Sequence, residues 1–169
     1  MQPLNKPFAS IPYFHATREE DLSMIPRLQQ ALLEDRFHLS DEYKVPERIT
    51  SYLRGLLGDE NNLSFVIEGS DKPVGFLVFY NIYPDWKAEL SLIVWDWTNW
   101  GSQRLRAAQD LIKEVMMRLN LRRLGFLSAD PRIRKLATKC LNFEEEGVQR
   151  DAFRQGNTLY DVTFFARYA

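Results

Sequence analysis

The stretch from Phe65 to Gln109, FVIEGSDKPVGFLVFYNIYPDWKAELSLIVWDWTNWGSQRLRAAQ, constrains this chain most, because strand periodicity gives way to helical periodicity across one short glycine-containing loop. Val66-Ile67 and Val74 to Tyr80 are mostly β-branched and aromatic, and Gly69-Ser70-Asp71-Lys72-Pro73 between them is rich in turn-forming residues, which predicts a hairpin. After Pro84-Asp85, Ala88 to Val94 reads as a further strand, and from Ser102 the apolar spacing becomes helical. A strand whose loop opens a helix leaves backbone N–H groups unpaired and pointing outward. That arrangement favours a phosphate-bearing ligand.

The longest helical pattern runs from Ser102 to Leu119, with Leu105, Ala108, Leu111, Ile112, Val115, Met116 and Leu119 on one stripe and Arg104, Asp110, Lys113 and Arg118 off it. Before the hairpin, Phe8 to His15 reads as a first strand and Thr17-Arg18-Glu19-Glu20 as a capping box. The helix it opens carries Leu22, Ile25, Leu28 and Leu32, with Pro26 predicting a kink or break after the first turns. A polar loop, Phe37 to Lys44, leads to a second helix that begins near Pro46 and presents Ile49, Leu53, Leu56 and Leu57. Towards the C-terminus, Arg123 to Ser128 is a strand, and Ile133, Leu136, Ala137, Cys140 and Leu141 mark a short amphipathic helix. Phe143 to Arg150 and Leu159 to Arg167 close the sheet around a turn at Gln155-Gly156-Asn157. The order predicts a mixed α/β layer of the α+β type, six or seven strands with about four helices, rather than a doubly wound nucleotide fold.

With 169 residues, 45% of them hydrophobic and 13% aromatic, the chain can bury one sizeable core, so residues 1 to 169 are read as a single domain. A net charge of -1 gives no overall drive towards nucleic acid or membrane. Charge is uneven along the chain. Residues 1 to 60 hold seven Lys/Arg against ten Asp/Glu, whereas residues 101 to 140 hold ten against three, which is either an attraction for an anion or a set of solvated helix faces. One cysteine, Cys140, rules out an internal disulfide, no stretch approaches the ~20 apolar residues of a membrane span, and the start lacks an apolar run suited to a signal peptide. A cytoplasmic location is expected. His15 and His38 have no partners at metal-ligand spacing, so no metal site is expected.

Several runs carry a resemblance. DKPVGFLVF looks like the second-to-third-strand hairpin, AELSLIV the fourth strand, and WGSQRLRAAQDLIKEVMMRLNLRRL the phosphate loop, central helix and fifth-strand entry of the GCN5-related N-acetyltransferase (GNAT) superfamily. DPRIRKLATKCLNFEEEG is similar to its short helix and the following "leucine-glycine-phenylalanine" segment, and LYDVTFFARY to its last strand. The chain resembles most the branch of ribosomal-protein N-terminal acetyltransferases. In that family the loop reads Gln/Arg-x-x-Gly-x-Gly/Ala; here the aligned residues are Thr98-Asn99-Trp100-Gly101-Ser102-Gln103, so one glycine remains and Gln103 stands where a small residue is usual.

The resemblance implies acetyl-CoA as cofactor, held by Val94, Gly101, Ser102, Gln103 and Arg104, and a small-molecule or protein amine as acceptor. Acyl transfer to an amine needs a base for the amine and an acid for the departing thiol. Glu89, on the strand before the loop with Ser91 on the same face, is the candidate base; the bland alternative is a solvent-facing carboxylate on an antiparallel sheet. Tyr160 is the candidate acid, or else a half-buried sheet aromatic. Trp86, Trp95, Trp97 and Trp100 lie within fifteen residues, and Trp95, Trp97 and Trp100 are candidates for a protein-partner surface. Two function classes stand: an N-acyltransferase working by direct attack on the thioester, and a catalytically silent subunit of a protein assembly.

Overall fold

The computed structural model describes residues 11–34, 38–99 and 101–169. Seven strands form one sheet in the order β1-β2-β3-β4-β5-β7-β6. They are β1 (Phe14–Ala16), β2 (Leu63–Glu68), β3 (Pro73–Tyr83), β4 (Lys87–Val94), β5 (Arg123–Ser128), β6 (Glu144–Gln155) and β7 (Thr158–Tyr168). The helices are α1 (Ile25–Glu34), α2 (Pro46–Gly58), α3 (Ser102–Arg118) and α4 (Pro131–Lys135), the last extended by a π turn over Leu136–Cys140. All neighbouring strands are antiparallel except β4 and β5, which are joined through α3 as a parallel crossover requires.

Alternation along the strands divides the core between two faces. Ala88, Leu90, Leu92 and Val94 of β4 pack with Ala108, Leu111, Ile112 and Val115 of α3 and with Ile133 and Ala137 near α4. On the other face Val66, Phe76, Val78 and Ile93 meet Leu28 and Leu32 of α1 and Ile49 and Leu53 of α2. Glu89 and Ser91 share the Ile93 parity and so stand on the α1/α2 face.

The anticipated elements are present, with local differences. The first strand is Phe14–Ala16, preceded by Tyr13 at φ 69°; residues 8 to 10 of the expected strand lie outside the described residues. The cap expected from Thr17 and Glu20 is shifted by one residue: the Asp21 carboxylate accepts the Arg18 backbone N–H at 2.8 Å, and a 3-10 helix, Glu19–Met24, follows. Its sequel α1 begins at Ile25, so Pro26 sits in a first turn where its missing N–H removes no helical bond. The polar loop contains a 3-10 turn, Asp41–Tyr43, and β6 continues to Gln155 rather than stopping at Arg150. The two-residue β6–β7 turn is made possible by Gly156 at φ +56°.

At the base of the sheet the β3–β4 turn is stitched to the α3–β5 turn. The Asp85 N–H donates to the Leu119 carbonyl at 3.0 Å, the Arg122 N–H to the Trp86 carbonyl at 2.8 Å, and the Asn120 amide to the Asp85 carboxylate at 2.9 Å. These bonds fix where β4 and β5 start side by side.

Candidate active site

β4 and β5 pair only at Lys87–Arg123, Ala88–Leu124 and Glu89–Gly125, while β5 stays paired to β7 along its length. Beyond Glu89, the edge of β4 that faced β5 meets no strand. A cavity of about 190 Å³ occupies the divergence, between Leu90–Val94 on one side and Phe126–Asp130 on the other, with Tyr52, Tyr80, Phe153 and Val162 closing it on the α1/α2 face. A larger opening of about 730 Å³ shares Val94, Trp97 and Asp130 with it and is walled by Arg27 and Arg132. Backbone groups of an unpaired strand edge must bond to something, and here they face a cleft.

Of the residues expected to hold a cofactor, Val94 ends β4, is buried and lines both openings. Gly101 precedes α3 with no side-chain cap, and a Cβ added there would meet nothing within 4 Å. As a glycine, Gly101 offers no side-chain oxygen to the first N–H groups of α3. Gln103 does not project freely, since its Oε1 accepts the Tyr13 hydroxyl at 2.6 Å. The Arg104 Nε donates to the Glu68 carbonyl at 2.8 Å and its guanidinium lies 4.8 Å from the Tyr13 ring centre. Both side chains therefore point to the β1–β2 end of the sheet.

Glu89 lies at the apex of the divergence. Its carboxylate covers Gly125 so closely that a Cβ there would come within 2.3 Å of Oε2, and its Oε1 stands 3.7 Å from Arg123 Nη1. Glycine at 125 is what admits the carboxylate. Arg123 bonds more directly to Glu146, which also accepts the Tyr168 hydroxyl; the Arg123 bond, then the Tyr168 bond, hold the Glu146 carboxyl below its ordinary value. The Glu89 side chain is not part of the cavity wall. Tyr160, opposite Phe153 in the β6–β7 ladder, packs with Ala129, Phe153 and Val162 behind that wall, so the structure does not bring it together with Glu89.

Two tyrosines that were not singled out in the sequence line the cavity. Tyr80 is the direct β3 neighbour of Glu89, and burial, then Tyr52 and Glu89, push its hydroxyl up to about 12. Tyr52 of α2 is 39% exposed as a residue, yet its hydroxyl end is sunk beside Ser91; burial raises its pKa and the Ser91 bond partly offsets this. Ser91 is buried, as period-two alternation with Glu89 requires. Asp130, also buried, receives the Arg132 N–H at 2.8 Å and its guanidinium at 2.9 Å.

The tryptophans divide. Trp95 is half-buried between Phe76, 6.2 Å away, and Arg27, 5.3 Å away, and its indole N–H has no hydrogen-bond partner among the described residues. Trp97 packs against the core and lines the cleft, whereas Trp86 is 57% exposed with the Lys87 ammonium 4.6 Å from its ring. Trp100 lies outside the described residues. No group of three potential metal ligands occurs among the described residues, and none of their helices is long and apolar enough to cross a membrane.

No family model and no curated protein matches the chain. Solved structures do. A spermidine N-acetyltransferase from Vibrio cholerae in complex with CoA and spermine superposes with a TM-score of 0.70 at 20% identity, covering 92% of this chain and 94% of that one. A ribosomal-protein-alanine N-acetyltransferase from Brucella melitensis gives a TM-score of 0.71 at 18% identity, covering 92% and 99%. A ribosomal L7/L12 alpha-N-protein acetyltransferase in complex with coenzyme A gives 0.70 at 18% identity, covering 94% and 97%. With a mixed seven-stranded sheet and parallel strands that part above Glu89, the chain has the fold of the GCN5-related N-acetyltransferases.

Proposed function

We propose that this protein is an acyl-CoA-dependent N-acyltransferase that moves an acetyl group to an amine. The observation that carries this reading is the β4 edge left without a strand partner, which opens on a cleft and ends at Val94 before the N-terminus of α3, where Gly101 supplies no side-chain cap. An extended arm containing amides would bond to such an edge, and a pyrophosphate would be held by the N–H groups of Ser102, Gln103 and Arg104. The residues present fit that cofactor: Gly101 leaves open space, and Gln103 is drawn aside by Tyr13. When bound, acetyl-CoA supplies an acyl group activated as a thioester, which the amine takes directly.

Glu89 then serves as the base that removes the amine proton, directly or through one water. Its carboxylate is held in place at the cleft apex by Gly125 beneath it and Arg123 beside it. Tyr80 retains its proton up to about 12, so it is a poor proton donor to a thiolate but its hydroxyl stays available to donate a hydrogen bond where one departs, and Tyr160 is not needed for that contact. Asp130, committed to Arg132, caps α4 and shapes the cleft rather than moving protons.

The test is thiol release from acetyl-CoA in the presence of amines, together with calorimetric binding. Glu89→Gln is expected to keep binding and lose turnover by ~10²–10⁴-fold. Absence of acetyl-CoA binding would favour the catalytically silent subunit, and turnover unchanged in Glu89→Gln would remove Glu89 from the base role.

A further inference from the structure

The inner cavity beside the apex reaches the α1/α2 face through Tyr52 and Tyr80, and its described wall has few carboxylates. Among the described residues lining the inner cavity, the one carboxylate is Asp130, which is already bonded by the Arg132 guanidinium and backbone N–H. Apart from His38, Ser91 and Ser128, the rest of that described wall is aromatic and aliphatic, with Tyr52, Tyr80, Leu90, Phe126, Phe153 and Val162 among it. Where Ser91 meets Tyr52 and Tyr80 its polar side chains are hydroxyls, and Ser91 is the polar neighbour of the Tyr52 hydroxyl. At about 190 Å³ the cavity is smaller than the ~300–1,000 Å³ of pockets that enclose drug-sized ligands, and the part beside Val94 and Asp130 is left for a thioester arm.

A chain of several ammonium groups would be stripped of water here with Glu89 at the apex for one of them and, among the described residues of the wall, only the committed Asp130 for the others, a cost that grows with each charge. A single amine on an aromatic or alkyl body loses less, because the body gains by burial and one nitrogen suffices for three hydroxyls. We propose that the acceptor is a small primary amine bearing one aromatic or alkyl group, and not a polyamine, with its nitrogen received by Ser91, Tyr52 and Tyr80. This inference rests on the acyltransferase reading of the same cleft.

The test is calorimetric titration of the full chain, saturated with coenzyme A, by 2-phenylethylamine and by spermidine. The aromatic amine is expected to bind at least tenfold tighter. Tyr52→Glu, at a position exposed enough to accept the change, places a carboxylate on the wall and is expected to reverse the order. Spermidine binding as tightly as 2-phenylethylamine to the wild type, or no binding of 2-phenylethylamine, overturns the inference and leaves the acyltransferase reading standing. Failure of coenzyme A itself to bind overturns both.

Discussion

Gly125→Ala separates the place of Glu89 from the stability of the sheet. A Cβ at 125 would lie 2.3 Å from Glu89 Oε2 and 2.8 Å from its Cδ, so the carboxylate must leave the surface of β5. The three nearest atoms all belong to Glu89, and the displaced group is the end of a flexible side chain whose exposure is 29%. The contact with Arg123 that is lost is worth ~0.2–1 kcal/mol, since both partners are partly exposed and Arg123 keeps Glu146. Alanine in an extended strand gains about 0.4–1 kcal/mol by restricting the unfolded chain. These nearly cancel, so the denaturation midpoint should move by less than that of an ordinary core substitution. Turnover is another matter: a shift of ~1 Å in a catalytic group costs ~10²-fold. Thiol-release kinetics and urea unfolding on the same preparation supply both numbers. Adding Gly125→Ala to Glu89→Gln should cost no further activity, because both act on one group. Stability lower by more than ~2 kcal/mol, a size that belongs to core damage, or turnover equal to wild type, would refute the reasoning.

Gln103→Gly removes the bond to Tyr13, worth about 1 kcal/mol at most for an exposed neutral pair, and calorimetry should find no gain in affinity for acetyl-CoA, because the side chain already points away. Tyr80 gives a pH signature at the alkaline end. Its folded pKa, about 12, lies above the ordinary 10, so the folded state holds the proton more tightly; that stability is complete below pH 10 and is lost as pH rises towards 12. Tyr80→Phe should therefore flatten the decline in stability between pH 10 and 12 relative to wild type, measured by denaturant unfolding at each pH.

Much of this fold is legible in the sequence because its periodicities are strong. The stripe of Leu111, Ile112 and Val115 fixes α3 on one face, and the runs around Val78 and Leu90 fix β3 and β4. The start of β1 was displaced because the Tyr13 turn at φ 69° is set by tertiary contacts with Gln103 and Arg104, ninety residues away, which no local pattern reports. Likewise Arg18 and Asp21 replaced Thr17 and Glu20 as the capping pair because the Thr17 N–H is taken by the Ser64 carbonyl. The site was legible in part. Glu89 was found through its strand and parity, but its dependence on Gly125 needs the β4–β5 register. Tyr52 and Tyr80 lie on different elements and meet only when α2 is packed on the sheet, so helical and strand periods read separately do not bring them together.

Gly101→Asp tests the central claim most directly. The new carboxylate has open space and would cap α3, to which Gly101 supplies no side-chain oxygen, so stability should hold or rise by a few tenths of a kcal/mol. The same charge stands where a pyrophosphate would sit. Calorimetry should find one acetyl-CoA site in the wild type and at least tenfold weaker binding in Gly101→Asp, with the fold unchanged by circular dichroism. No binding to the wild type, or equal binding to the variant, would contradict the assignment of this loop and cleft to acyl-CoA.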